Sequence, residues 1–144
     1  MKLSTRTRYG IRAMAELARN YGQGPMQLRM IAKKQDISTK YLEHLMAILK
    51  AAGLVVTVRG ARGGYMLSRA PEKIKLSACF DCLEGRTVTV ECVEDENFCA
   101  RQVDCVVREV WVQMHEAIHH VLESQSLRDI VEKSKNKKII NYNI

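Results

Sequence analysis

No stretch of 18 or more apolar residues occurs in the 144-residue chain, so no segment reads as a membrane-spanning helix. The opening Met1-Lys2-Leu3-Ser4-Thr5-Arg6 lacks the apolar stretch of a signal peptide, and the expectation is a cytoplasmic protein. A P-loop, a dinucleotide fingerprint and a serine–histidine–aspartate order are also missing, which leaves an enzyme disfavoured. Paired cysteines spread along the chain, the mark of a secreted disulfide framework, are absent too. The five cysteines, Cys79, Cys82, Cys92, Cys99 and Cys105, all fall within one 27-residue stretch. In a reducing cytosol such a cluster reads as a metal or redox site.

What is present is enough apolar material, 47% of the residues, for one domain around one core. Formal charge is +7, but it is distributed unevenly. Residues 1–75 hold 15 Lys or Arg against 4 Asp or Glu, and residues 76–144 hold 8 against 12. The first part therefore suggests a polyanion-binding region, since Lys and Arg neutralise phosphates and release condensed counterions. A merely solvated basic surface is the plainer alternative.

Apolar residues Ile11, Met14, Ala15, Leu17 and Ala18 recur at helical spacing, predicting a first helix over residues 3–19 with Ser4 or Thr5 as its cap. Gly22-Gln23-Gly24-Pro25 breaks it, residues 28–35 form a short second helix, and Asp36-Ile37 is a turn. Ser38 caps a third helix reaching Ala52, with Leu42, Leu45, Met46 and Leu49 inward and Gly53 as a left-handed stop. Two helices on a short turn, the second beginning polar and basic, fit a helix-turn-helix. The strand-like Leu54–Val58 and Tyr65–Ser68 flank the loop Arg59-Gly60-Ala61-Arg62-Gly63-Gly64, which predicts a two-stranded wing carrying Arg59 and Arg62.

Beyond Pro71, a short helix spans residues 76–84 and a loop spans residues 86–103. Asp104 is then placed to cap a helix reaching Glu123. Its stripe of Val107, Val110, Met114, Ala117 and Val121, beside Trp111, Ile118 and Leu122, is wide enough to suit pairing with a second copy, with burial inside the same chain as the alternative. Ser126-Leu127-Arg128-Asp129 opens a last helix ending near Lys133. The fold class is thus mainly α with a small β wing. Residues 1–75 form a winged helix-turn-helix DNA-binding region, and residues 76–144 supply a cysteine loop and dimerisation helices.

Cys92, Cys99 and Cys105 are separated by six and five residues, within a loop that also holds Glu91, Glu94, Asp95, Glu96 and Asp104. Zinc knuckles favour closer ligands, so a wider loop around an iron–sulfur cluster fits better. The neighbouring carboxylates oppose thiolate formation unless bound metal compensates. A redox-active, metal-free thiol loop is the alternative. Cys79-Phe80-Asp81-Cys82 suits two small core residues better than a thiol–disulfide enzyme. His44, His115, His119 and His120 lie on helices, away from the loop.

The pattern Leu3-Ser4, Arg8-Tyr9-Gly10, Ile37-Ser38, Tyr41-Leu42-Glu43, Gly53-Leu54-Val55, Val58-Arg59-Gly60, Gly63-Gly64-Tyr65 and Leu83-Glu84-Gly85, with the three loop cysteines, resembles the Rrf family of bacterial regulators, and most of all its IscR branch. The resemblance covers nearly the whole chain. It implies a homodimer on double-stranded DNA with a dyad operator, the recognition helices in major grooves and the wings at minor grooves. Arg8, Ser38, Thr39, Lys40, Tyr41, Glu43, Arg59 and Arg62 are the candidate DNA-binding residues. By the same resemblance Cys92, Cys99 and Cys105 hold an iron–sulfur cluster, [2Fe-2S] favoured over [4Fe-4S], and the state of the cluster regulates promoters. Arg108 stands where the IscR pattern has a histidine ligand. Glu109, Glu91, Asp104 or a residue of the partner subunit's first helix, where this chain has Arg8, remain as candidates for the fourth position. Cluster-free members of the family allow a second reading, in which the thiols sense oxidants or a partner protein supplies the signal.

Overall fold

The computed structural model describes residues 2–85, 90–95 and 97–142, with side chains to residue 137. Seven helices and one two-stranded antiparallel sheet follow in order among these residues. Helix α1 (Thr5–Arg19) begins at Ser4, whose hydroxyl accepts from the Thr7 N–H at 3.1 Å. Of the two cap candidates the geometry thus selects Ser4. Helices α2 (Leu28–Gln35) and α3 (Thr39–Ala51) form the helix-turn-helix, and Asp36 takes a left-handed conformation between them. Ser38 caps α3 as expected, accepting from the Tyr41 N–H at 3.2 Å. Gly53 has φ +71°, the geometry that halts a helix without a Cβ penalty.

Strands β1 (Val55–Val58) and β2 (Gly64–Leu67) pair antiparallel, Val55 opposite Leu67 and Val58 opposite Gly64, which confirms the wing. Met26 adds a bridge on the other edge of β2, exchanging 2.9 Å hydrogen bonds with Tyr65 in both directions. That close approach explains Gly64. It sits at φ +156°, and a Cβ there would stand 2.3 Å from the Met26 carbonyl oxygen.

Helix α4 (Leu76–Glu84) crosses α1 closely, because Gly10 has no side chain. A Cβ on Gly10 would lie 2.4 Å from Leu83 Cδ1, and Leu83 is fully buried. Helix α7 (Leu127–Tyr142) returns to the same core through Leu127 and Val131. Its start is fixed by hydrogen bonds from Leu76 N–H to Gln125 O and from Leu127 N–H to Ile74 O, both 2.9 Å. The Ser126–Asp129 capping box forms, with the Ser126 hydroxyl donating to Asp129 at 2.6 Å. Helix α7 runs well past Lys133, because the lysine-rich stretch holds no Gly or Pro to stop it and lysine is a good helix former.

Two further boundaries differ from expectation. A helical turn, α5 (Glu91–Glu94), and a 3-10 turn (Gln102–Asp104) lie inside what the sequence presents as plain loop. Asp104 belongs to that turn, so Cys105 occupies the cap position of α6 (Val106–Ser124) without a side-chain cap bond.

The α1–α4 junction is polar at its end. Glu84 accepts hydrogen bonds from the Ser4 hydroxyl at 2.6 Å, from the Ser4 N–H at 3.3 Å and from the Thr7 hydroxyl. Those hydroxyl bonds hold the Glu84 carboxyl below its usual range. A depressed folded-state value means the contribution is present above the unfolded carboxylate value and is lost as pH falls through the folded one. Glu84→Gln should therefore flatten the acid limb of the stability–pH curve, measured by thermal melts below neutrality. Ser4→Ala should cost about 1 kcal/mol in denaturant unfolding at pH 7.

Candidate nucleic-acid interface and cysteine site

The candidate recognition surface is built from the start of α3 and the wing. Thr39, Lys40 and Glu43 are exposed on α3, and Ser38 is exposed at its cap. Arg59 and Arg62 are exposed in the turn joining β1 to β2, and Gln27 Nε2 donates to Ala61 O at 3.3 Å within that turn. Arg8 is exposed on α1, its guanidinium donating to the Thr5 hydroxyl at 3.4 Å. Tyr41 differs from the others. It is half-buried, edge-on to Tyr9 with ring centroids 6.2 Å apart, so its ring serves packing as well as surface.

A polar network behind this surface locks α1 to the helix-turn-helix. Arg12 lies over the Tyr9 ring at 5.2 Å, donates from Nε to Gln35 Oε1 at 2.7 Å and reaches the Gln35 main-chain oxygen at 3.0 Å. Gln35 Nε2 donates to the buried Glu16 carboxylate at 2.7 Å. Arg19 pairs with one oxygen of Glu16, and Lys34 stands 3.5 Å from the other. The sequence reading missed this network, although a lone Glu16 in the run Ala13–Ala18 was a signal for a buried, paired carboxylate.

Among the cysteines, Cys79 is fully buried in the core and Cys82 packs partly against it. Burial, then the nearby Cys82, pushes the Cys79 thiol up to about 12, and burial also raises Cys82. Cys82 Sγ donates to the Cys79 carbonyl at 3.2 Å. These are core residues, the opposite of activated nucleophiles.

Cys92 is half-buried on α5, Cys99 is exposed, and Cys105 is half-buried at the α6 cap. Their main chains are linked stepwise. Gln102 N–H donates to Cys99 O at 3.1 Å, Cys105 N–H to Gln102 O at 3.5 Å, and Arg108 N–H to Cys105 O at 3.1 Å. Arg108 Nε then donates to Cys92 O at 2.9 Å, so one residue holds the first and third cysteine backbones. Glu96 lies outside the described residues. Gln102 Oε1 is buried with no hydrogen-bond partner, the one such side-chain atom among the described residues.

Three soft thiols on a single loop suit an iron–sulfur cluster in donor chemistry. They are not yet gathered, because among the described residues no three His, Cys, Asp or Glu side chains stand where they could hold one metal ion. Holding a cluster requires the loop to close on it.

The long helix α6 presents two faces. Arg108, Trp111, His115, Ile118 and Leu122 are half-buried on the face toward α4 and α5. The adjoining stripe of Val107, Val110, Met114 and Val121 is between 42% and 60% exposed. No helix among the described residues is long and apolar enough to cross a membrane.

A family profile described as "Iron-dependent Transcriptional regulator" and called Rrf2 matches residues 3–133. The chain belongs to the Rrf2 family. It is 41% identical to the HTH-type transcriptional regulator CymR of Bacillus subtilis over 130 residues, covering 90% of this chain and 89% of that one. IscR of Erwinia tasmaniensis is 32% identical over 131 residues, 91% of this chain and 79% of that one. The solved structure of the B. subtilis CymR, described as the global cysteine regulator, superposes with a TM-score of 0.78 at 39% identity, covering 92% of this chain and 98% of that one. T. potens IscR gives 0.77 at 39% identity, with 93% and 88% covered. Fold and relatives are those of transcriptional regulators, not enzymes.

The placement of the thiols orders their reactivity. In the native Rrf2-family protein, a water-soluble aromatic disulfide reagent should titrate Cys99 first and reach Cys79 only on unfolding. Peptide mapping of the labelled sites over time would check this, and early labelling of Cys79 would contradict its core position.

Proposed function

We propose that the protein is a homodimeric regulator that binds a dyad operator in double-stranded DNA and whose binding is set by the state of the Cys92–Cys99–Cys105 loop, with repression as the outcome. The observation that carries the DNA reading is the exposed Thr39, Lys40 and Glu43 on the helix after the turn, joined by Arg59 and Arg62 on the wing. Lys40 and the arginines, Arg8 included, serve as phosphate or groove contacts. Ser38 fixes the helix start, Tyr41 fixes its angle against Tyr9, and Glu43 discriminates by accepting from cytosine. The net +11 charge of residues 1–75 supplies the counterion-release contribution. A second copy covers the Val107–Val121 stripe, which is otherwise an exposed apolar face along a 19-residue helix.

For the loop, three thiols spaced along one segment support a bound iron–sulfur cluster, of the [2Fe-2S] type by preference, with Cys92, Cys99 and Cys105 as its holders. When bound, such a cluster supplies a site that changes with oxidation or iron supply. A second reading, a cluster-free thiol or partner-protein switch, is favoured by the ungathered thiols and by the similarity to a regulator described as the global cysteine regulator.

Two measurements test these assignments. Arg59→Ala should weaken operator binding and lower the slope of log affinity against log salt by about one, as loss of one phosphate contact requires. An unchanged slope removes the wing contact. Protein purified without oxygen should be coloured and contain iron and sulfide, and both should vanish in the Cys92→Ala, Cys99→Ala, Cys105→Ala triple variant. Colourless, iron-free wild type would favour the thiol switch.

A further inference from the structure

We propose that Arg29 is a further contact to the DNA backbone, and that Gln27 is a positioning residue that holds Arg29 and the turn of the wing in one arrangement. This rests on the DNA reading above. Gln27 stands at the N-cap of α2, yet its side chain makes no cap hydrogen bond. It links two elements instead. Its Oε1 accepts from Arg29 Nε at 2.8 Å, and its Nε2 donates to Ala61 O at 3.3 Å, inside the turn that carries Arg59 and Arg62. An amide suits both ends, because a guanidinium can only donate and a carbonyl can only accept. A carboxylate in its place would repel the Ala61 carbonyl, and an ammonium would repel Arg29.

The wing is therefore not a free hairpin. Met26 bridges β2 at Tyr65, Lys50 of α3 donates from Nζ to the Thr57 hydroxyl of β1 at 3.0 Å, and Gln27 reaches the turn itself. Of these three ties, only the one through Gln27 reaches the segment between Arg59 and Arg62. Arg29 is exposed on the first turn of α2, and it pairs with no carboxylate among the described residues. Arg12 and Arg19, by contrast, are engaged by Gln35 and Glu16. A guanidinium fixed by a neutral amide keeps its whole charge for an outside anion. It has also lost beforehand part of the side-chain freedom that binding would otherwise remove. In helix-turn-helix proteins the first of the two helices crosses the DNA backbone, which makes a phosphate the fitting partner for this residue.

The test measures the affinity of the full chain against salt on two probes: the duplex that wild type enriches from a random-sequence pool, and a scrambled duplex of the same length. Arg29→Ala should lower the slope of log affinity against log salt by about one on both probes. Gln27→Ala should weaken binding to the enriched duplex about tenfold, yet cost less than about twofold when Arg29 and Arg59 are already alanine, because the groups that it holds are then gone. A merely structural role would cost the same in both backgrounds. An unchanged slope in Arg29→Ala overturns the backbone contact. A Gln27→Ala loss that persists in full in the double variant, or no loss at all, overturns the positioning role. If Gln27→Ala lowers the thermal midpoint, Gln27→Met, which keeps the side-chain length without either hydrogen bond, replaces it under the same expectations. Wild type that enriches no duplex and shows no salt-dependent binding to the scrambled one sinks the DNA reading and this inference together. Enrichment that depends on Arg59 but is indifferent to Arg29 and Gln27 sinks only this inference.

Discussion

Everything in this fold leans on the contact between the first helix and the fourth. Gly10 lets α1 approach until Leu83 fills the space where its Cβ would be, and a few residues away Glu84 gathers the capping groups of the same helix. Shape and charge thus fix one crossing at two points. The chain turns at Gly85 directly after this clamp and enters the segment that carries the loop cysteines. At the other side of α1, Tyr9 meets Tyr41 near the start of α3. One helix therefore lies between the root of the cysteine loop and the base of the proposed recognition surface, so a displacement of α4 cannot leave α3 undisturbed unless the clamp breaks.

The buried Glu16 shows why that helix stays rigid. A carboxylate removed from water costs several kcal/mol unless charges and hydrogen-bond donors replace the solvent. Here Arg19, Lys34 and Gln35 do so, and each comes from an element that must stay in place for the pairing to survive. Gln35 is in turn held by Arg12, which is stacked on Tyr9. Such a network adds little net stability over an apolar core of equal volume, but it penalises every other rotation of α1 against α2. Orientation is what a DNA-reading surface needs.

Most of the architecture was legible because each element carried its own local signal. Ser4, Ser38 and Ser126 sit at caps, Gly53 sits at a stop, and strands of β-prone residues flank a glycine-rich turn. Legibility failed where a signal depends on another part of the chain. The reach of Arg108 to Cys92 spans sixteen residues and has no periodicity. The unspent oxygen of Gln102 appears only once burial is known. Lys133 looked like an end because charge was taken for a loop, whereas nothing in Lys135-Asn136-Lys137 breaks a helix and Val131 behind it is already anchored in the core.

Helix α6 shows how one element can serve two masters. Residues 108, 111, 115, 118 and 122 face its own chain, and residues 107, 110, 114, 117 and 121 face outward, both series alternating steps of three and four. The two seams adjoin, so the outward stripe cannot rotate into the chain's own core without pulling Arg108 off the Cys92 carbonyl. In the proposed dimer, each partner's stripe resists that rotation for the other. The cysteine loop would then be held by an interaction from the second chain that touches none of its thiols, and loop closure and subunit pairing would draw on the same helix orientation.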